Sequence, residues 1–203
     1  MGSLQTEFVE ELRSNGANIR DIAYAAANIP LEFWDISRKD IEVTPKNKAL
    51  FNYVIEYVDN IHDMISNGNG LTIIGTPKSG KTLFCCAILK SCAINPQTMR
   101  RDYHVIRINW DTIIEDFEHI KRETESYMEL RNVLTRADIL FIDSLSYTIP
   151  PTVLLSIART RRDFRKSTLI ATSLEPVKLV NSRSQEIIDI FKDKNKVYSA
   201  DRH

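Results

Sequence analysis

The sequence has no excess of charge of either sign and contains little glycine, proline or cysteine. Basic and acidic side chains number 27 each among 203 residues, so no whole-molecule field would attract nucleic acid or an anionic membrane. Six glycines and seven prolines beside 43% hydrophobic residues indicate one globular domain of ordinary size with room for a small appendage. There is no internal repeat and no low-complexity tract. Any contact with nucleic acid must therefore come from a local patch.

The scarcity of cysteine limits metal and redox chemistry. Cys85, Cys86 and Cys92 lack CxxC spacing and have no histidine nearby, which argues against a zinc site. We interpret them as buried free thiols in a reducing compartment. The chain opens without a signal peptide, and no apolar run approaches the ~20 residues that span a bilayer. We therefore expect a cytoplasmic protein that makes no membrane contact.

A phosphate-binding motif follows a short apolar run. Residues 75–82 read G-x-x-x-x-G-K-T directly after Leu-Thr-Ile-Ile at 71–74. The glycines permit a tight turn in which backbone N–H groups and a helix N-terminus converge on phosphate oxygens. Lys81 would reach the β/γ-phosphates and the Thr82 hydroxyl would hold Mg²⁺. The pattern predicts ATP or ADP as a ligand, with magnesium. The predicted nucleotide-binding residues are Gly75, Thr76, Pro77, Lys78, Ser79, Gly80, Lys81, Thr82 and Leu83.

A second motif supplies the acid that a magnesium–nucleotide site needs. Residues 139–142 are apolar and Asp143 follows them, which predicts a buried strand that ends in a second metal ligand. ATPases of the additional-strand class normally carry another acid at the next position, where it deprotonates the attacking water. Here that position is Ser144, which cannot accept a proton at neutral pH. Because a positioned base contributes about 10²–10⁴-fold in rate, we predict slow hydrolysis, or the use of another acid such as Glu115 or Glu118.

Strand and helix patterns alternate from residue 71 to the end of the chain. Strands are predicted at 71–75, 104–108, 138–142, 168–172 and 196–199, and helices at 80–93, 110–121, 124–136, 152–166 and 184–192. Near-continuous apolar strands between helices indicate a parallel sheet covered on both faces. The predicted fold class is α/β: a three-layer sandwich around a central parallel five-stranded sheet.

The first part of the chain differs from this alternation. Short helical patterns at 7–14 and 19–27 are separated by Asn-Gly, and a proline ends the second. We predict a short helical segment over 1–43, which either docks a partner or packs on the body, ahead of an ATPase domain over 44–203. Thr44-Pro45 predicts the start of one long helix that continues to the Asn-Gly pair at 67–68.

The order of these motifs resembles the DnaC/DnaI-type helicase loaders and the related IstB transposition ATPases, a branch of AAA+. The likeness begins near Ala27 and includes Asn-Ile-Pro-Leu-Glu-Phe at 28–33 and Arg-Ala-Asp at 136–138. It also includes residues 167–174, which cover the fourth predicted strand and the two residues after it. It implies a P-loop AAA+ fold of the additional-strand class. The short N-terminal segment would fit a compact version of phage or mobile-element origin.

The resemblance also implies roles for residues outside the phosphate loop. Ser173 stands at the position of a polar sensor, where the family often has Asn. Arg183 stands where these proteins place an arginine finger that reaches the nucleotide of a neighbouring subunit, and Arg202 resembles the terminal sensor arginine. A second arginine is usual soon after the finger, but Ile187 stands there. The predicted catalytic residues are Lys81, Asp143, Ser173, Arg183 and Arg202.

Three functions remain open on these grounds. The first is a helicase loader that binds ATP, forms a homo-oligomer when ATP is bound, contacts single-stranded DNA and delivers or remodels a replicative hexameric helicase. The second is an IstB/TnsC-like transposition ATPase that selects target DNA and recruits a transposase. The third is a small P-loop kinase, which would need an arginine-rich lid such as residues 159–165.

Basic side chains crowd the end of the predicted helix over 152–166. They are Arg159, Arg161, Arg162, Arg165 and Lys166. They could contact single-stranded DNA or line a subunit interface. They could equally form a solvated face that complements the helix dipole.

Overall fold

Five parallel strands form the centre of the structure. The computed structural model describes residues 3–95, 100, 102–120, 124–146, 148, 152–173 and 183–200. The strands are β1 (Gly70–Ile74), β2 (Val105–Asn109), β3 (Ile139–Leu145), β4 (Ser167–Thr172) and β5 (Asn195–Ser199). Their order across the sheet is β2-β3-β4-β1-β5. The predicted five-stranded parallel sheet is therefore confirmed, and every strand begins within one residue of its predicted start.

Helices connect the strands and precede the sheet. They are α1 (Ser3–Ser14), α2 (Ile19–Ala26), α3 (Lys48–Asp59), α4 (Ile61–Ser66), α5 (Lys81–Ala93), α6 (Trp110–His119), α7 (Glu125–Arg136), α8 (Thr152–Asp163) and α9 (Arg183–Ile190). Single turns of 3₁₀ helix lie at Leu31–Phe33 and Arg38–Asp40. In the described part of the chain no helix has both the length and the apolar character to cross a bilayer.

Alternating side chains of each central strand enter two separate cores. Phe141 of β3 and Leu169 of β4 pack with α3 and α5, whereas Leu140, Ile142 and Ile170 pack with α6, α7, α8 and α9. Because strand side chains alternate between the faces of a sheet, this division places one helical layer on each face. The structure is the predicted three-layer sandwich.

The sheet order sets the position of the predicted site. Strand β4 lies between β1 and β3, which is the additional-strand arrangement that the sequence resemblance implies. All strands run in the same direction, so their carboxyl ends meet at one edge. That edge brings the loop after β1 beside the end of β3, although the two strands are not neighbours.

The N-terminal segment packs against the sheet and α5. Tyr24 and Ile29 belong to the same core as β1 and α5. The carbonyl of Ala27 accepts the N–H of Arg107 (2.9 Å), and the Asn28 side-chain amide donates to the Arg107 carbonyl (3.0 Å). These bonds cover part of the exposed edge of β2, which would otherwise carry unpaired backbone groups.

Lys90 of α5 bonds to the turn at residues 33–36, which follows Ile29 in the N-terminal segment. Its ammonium donates to the carbonyls of Phe33 (2.7 Å), Trp34 (2.9 Å) and Ile36. The N-terminal segment is thus fixed by main-chain contacts to β2 and by one lysine of α5. The division of the chain at residues 43 and 44, and a docking role for the segment, stay predictions.

The predicted long helix is divided in two, which corrects the sequence interpretation. Asn60 separates α3 from α4, with φ −115° and ψ 35°. Its side-chain amide donates to the Glu56 carbonyl (2.9 Å), a local bond of the kind by which asparagine competes with helix continuation. The helix also begins at Lys48, because Thr44 and Asn47 first exchange side-chain bonds that close a separate turn.

Two tight turns meet beneath the amino end of the sheet. Gly68 follows α4 with φ +68°, and Arg165 follows α8 with φ +52°. A Cβ added to Gly68 would lie 2.7 Å from the carbonyl carbon and oxygen of Arg165. Only glycine fits this position without movement of the Arg165 backbone.

We predict that Gly68→Ala lowers the free energy of unfolding more than Gly16→Ala. Both glycines have positive φ (+68° and +71°), so alanine costs roughly 1–2 kcal/mol at either. At Gly68 the overlap with Arg165 adds about 1–3 kcal/mol, whereas a Cβ at Gly16 meets nothing within 4 Å. Urea denaturation measures both losses. Equal losses would contradict the steric role of Arg165.

Candidate phosphate-binding site

The loop between β1 and α5 is fixed at its start and turns through two positive-φ residues. The Gly75 N–H donates to the Thr172 carbonyl at the end of β4 (3.1 Å). Lys78 has φ +65° and Gly80 has φ +90°, and Gly80 is the N-cap of α5. Glycine adopts this conformation without steric cost, so the second glycine of the motif turns the chain directly into the helix.

The N-terminus of α5 is suited to an anion. Its N-cap, Gly80, makes no side-chain capping bond to the helix. The N–H groups of a helix N-terminus and the positive end of the helix dipole are the groups that bind phosphate in loops of this type. The loop geometry therefore fits the phosphate ligand that the motif predicts.

Lys81 is held inside the loop. It is only 8% exposed, and its Nζ donates to the carbonyls of Gly75 (2.8 Å) and Thr76 (2.6 Å) and to the Ser79 hydroxyl (3.4 Å). The loop residues thus gather around one cation. Phosphate oxygens are stronger acceptors than these neutral groups and would compete for the same ammonium.

Thr82 and Asp143 meet across the sheet edge. The Thr82 hydroxyl donates to Asp143 Oδ1 (3.0 Å), and the Asp143 side chain is 3% exposed. A hydroxyl and a carboxylate within this distance are the oxygen donors that Mg²⁺ takes in nucleotide sites. The structure brings the two predicted metal ligands together, and Thr82 directly follows Lys81 in the chain.

Arg107 is the site residue that the sequence analysis missed. Its Nε and Nη2 donate to Asp143 Oδ2 at 2.9 and 2.7 Å, and its side chain is 15% exposed. The signal was present, because a lone arginine interrupts the apolar strand 104–108. In the register of β2 and β3, Asn109 pairs with Asp143, so Arg107 lies on the same sheet face as the acid.

The two serines at predicted catalytic positions lie at strand ends. Ser144 is exposed, has φ +60° and sits at an irregularity in the register of β3 with β4. Ser173 is exposed and follows the last residue of β4. Arg183 is the first residue of α9, and Arg202 lies outside the described residues. The sensor and finger roles of these residues stay predictions.

Arg161 is structural, which removes it from the basic patch that the sequence suggested. It is 0% exposed, and its guanidinium donates to the carbonyls of Leu134 and Ala137 (both 2.8 Å) and to the Thr168 hydroxyl (3.1 Å). The first two carbonyls end α7, so the cation caps a helix C-terminus. Burial lowers the pKa of Arg161 to about 9, and the group remains charged at neutral pH.

Three other members of the basic run form ion pairs. Arg159 pairs with Glu186, Arg162 with Asp193 (3.6 Å) and Lys166 with Asp138 (2.9 Å). These carboxylates offset the charge that a nucleic-acid contact would use. The structure therefore favours the solvated-face interpretation of this run.

The cysteines match the interpretation as buried thiols. Cys85, Cys86 and Cys92 are free and buried in α5. Burial raises the pKa of Cys86 to about 12 and those of Cys85 and Cys92 well above the usual value, so the thiols are unreactive near neutral pH. Within the described ranges, no three histidine, cysteine or acidic side chains are placed to share a metal ion.

Comparison by sequence gives no relative. No protein-family model matches the chain, and no curated protein matches it.

Comparison by structure gives clear matches. The DnaC helicase loader superposes with a TM-score of 0.67 at 21% identity, over 84% of this chain and 99% of that one. DnaI gives 0.68 at 13% identity, over 84% and 93%. Replication initiator DnaA bound to AMPPCP and single-stranded DNA gives 0.66 at 19% identity, over 84% of this chain and 50% of that one. The chain has the P-loop AAA+ fold of these proteins, and the predicted likeness to DnaC/DnaI-type loaders is confirmed at the level of the fold.

Proposed function

We propose that this chain is an ATP-binding, helicase-loader-like protein that assembles on or remodels a replicative hexameric helicase and contacts single-stranded DNA. The observation that carries the proposal is the meeting of Lys81, Thr82 and Asp143 at one sheet edge. The fold that holds these three residues is similar to DnaC and DnaI over 84% of this chain. The match to a DnaA structure that holds AMPPCP and single-stranded DNA supports the choice of ligands.

The residues of the loop would bind and orient the nucleotide. Lys81 would exchange the Gly75 and Thr76 carbonyls for phosphate oxygens, and the α5 N-terminus would stabilise the remaining charge. Mg²⁺, which when bound neutralises phosphate charge, would be held by Thr82 and, in competition with Arg107, by Asp143. The roles of Ser173, Arg183 and Arg202 follow the family resemblance, and through Arg183 the ATP-bound chain would form a homo-oligomer.

ATP would act mainly as a conformational ligand. Ser144 offers no base at neutral pH, and its backbone lies in a left-handed conformation that few residues other than glycine, asparagine and aspartate adopt readily. Slow hydrolysis leaves the nucleotide bound long enough to favour one conformation or oligomer by differential affinity. A loader needs such a switch more than it needs rapid turnover.

The structure bears differently on the two alternative functions: it is compatible with the transposition ATPase and disfavours the kinase. An IstB/TnsC-like transposition ATPase would use the same residues, so only the partner separates it from a loader. A P-loop kinase would need a mobile arginine-rich lid. Because Arg161 is fully buried and Arg159 and Arg162 are paired, the residues proposed for that lid are already engaged.

The first test is nucleotide affinity in Lys81→Ala. Loss of a charged hydrogen-bond donor to phosphate costs about 1.5–3 kcal/mol, so we expect affinity for a fluorescent ADP analogue to fall roughly 10- to 100-fold or more. Lys48→Ala, an exposed lysine of α3, is the matched control and should bind as the wild type does. Unchanged affinity in a folded Lys81→Ala protein would refute nucleotide binding by this loop.

The second test concerns the missing base. Ser144→Asp introduces a carboxylate that tolerates the positive φ, and we expect ATP turnover to rise by about 10²-fold. Ser144→Asn has nearly the same shape and backbone tolerance but no base, so its turnover should stay at the wild-type level. Steady-state phosphate release measures both. If the two variants behave alike, the base is not what limits hydrolysis.

The third test identifies the partner. Affinity purification from the native host, with ATP and with no nucleotide, should recover the replicative helicase in an ATP-dependent manner. Lys81→Ala should lose that recovery, while Lys48→Ala should keep it. Recovery of a transposase in place of the helicase would favour the transposition alternative.

A further inference from the structure

We propose that Arg107 is a built-in cation of the site that competes with Mg²⁺ for Asp143, so that nucleotide binding by this chain depends little on magnesium. The inference rests on the proposed binding of nucleotide by residues 75–82. It concerns a residue that neither the motif nor the fold comparison assigns to the site.

Both oxygens of the Asp143 carboxylate are engaged. Oδ2 accepts two N–H groups of Arg107, at 2.9 and 2.7 Å, and Oδ1 accepts the Thr82 hydroxyl at 3.0 Å. The pair is shielded from water, with side-chain exposures of 15% for Arg107 and 3% for Asp143. A guanidinium therefore already supplies, at this carboxylate, the positive charge that a metal ion supplies in a magnesium site.

Arg107 opposes the addition of a magnesium ion to this arrangement. Mg²⁺ requires oxygen lone pairs in near-octahedral geometry. The two N–H groups of Arg107 occupy both lone pairs of Asp143 Oδ2, and the Thr82 hydroxyl occupies one of the two on Oδ1. A dication beside a largely desolvated guanidinium also meets strong like-charge repulsion, because screening by water is weak there. Coordination by Asp143 Oδ2 would require the Arg107 side chain to leave and to give up two charge-assisted hydrogen bonds.

The backbone of Arg107 is held on both sides. Along β3 it pairs in register with Phe141, and on the outer edge its N–H and carbonyl bond to Ala27 and to the Asn28 side chain. Only the side chain can move, so Arg107 remains within reach of Asp143 in any state that keeps the sheet intact.

The main experiment measures affinity for a fluorescent ADP analogue with excess MgCl₂ and with EDTA, at matched ionic strength. We expect the wild type to change by less than about threefold between the two buffers, and Arg107→Gln to bind at least about tenfold more tightly with Mg²⁺ than with EDTA. Arg13→Gln removes an exposed arginine paired with Glu10 on α1, and should match the wild type.

A second readout needs no nucleotide. Arg107→Gln leaves Asp143 buried without its cation, so MgCl₂ should raise the Tm of this variant above the value in NaCl of equal ionic strength. The wild type should show no such rise. If Arg107→Gln does not fold, Arg107→Lys keeps the charge but loses the two-donor fork, and its affinity should show a magnesium dependence greater than that of the wild type.

The outcomes separate the two proposals. A wild type whose affinity depends on Mg²⁺ as strongly as that of Arg107→Gln overturns the role of Arg107 and leaves nucleotide binding intact. A wild type that binds no nucleotide in either buffer overturns the proposed function, and the inference falls with it.

Discussion

Thr172 joins the two halves of the candidate site, and the rest of the arrangement depends on its position. It is the last residue of β4, the strand between β1 and β3. Its carbonyl accepts the Gly75 N–H (3.1 Å), and its hydroxyl donates to the Leu145 carbonyl (2.8 Å). The phosphate loop and the end of the acidic strand are thus bonded to one fully buried residue. Because β1 and β3 share no hydrogen bonds, this link fixes the distance at which Thr82 can reach Asp143.

Arg161, which is fully buried, and Arg107, which is largely buried, have different roles because their charges meet different partners. Arg161 meets carbonyls and a hydroxyl and ends a helix, so it stabilises the fold and is not available to a ligand. Arg107 meets a carboxylate at the carboxyl edge of the sheet, where parallel α/β folds place their ligands. Removing either partner of a buried pair leaves an uncompensated charge. The difference is that the partner of Arg107 is also a predicted metal ligand.

The sequence predicted the positions of the helices and strands better than it predicted which elements and side chains contact one another. Apolar runs located the strands, and the G-x-x-x-x-G-K-T motif with Asp143 located the phosphate loop and its acid, because these signals are local. The place of β4 between β1 and β3 came only from the family resemblance. The contact of Arg107 with Asp143 depends on the register of β2 against β3, and the burial of Arg161 depends on the end of α7. The break at Asn60 depends on one side-chain bond, which periodicity does not reveal.

The N-terminal segment contacts both elements that carry the charges of the site. Ala27 and Asn28 bond to the backbone of Arg107 on β2, and three carbonyls of the turn at 33–36 bond to Lys90 on α5. Lys81 is the first residue of α5, and Arg107, the partner of Asp143, lies on β2. Asn28 has φ +56°, a conformation that side chains other than glycine adopt only where surrounding contacts compensate. The segment and the site therefore share one framework of hydrogen bonds, and a displacement of residues 27–36 would alter the support of Arg107 and of α5 together.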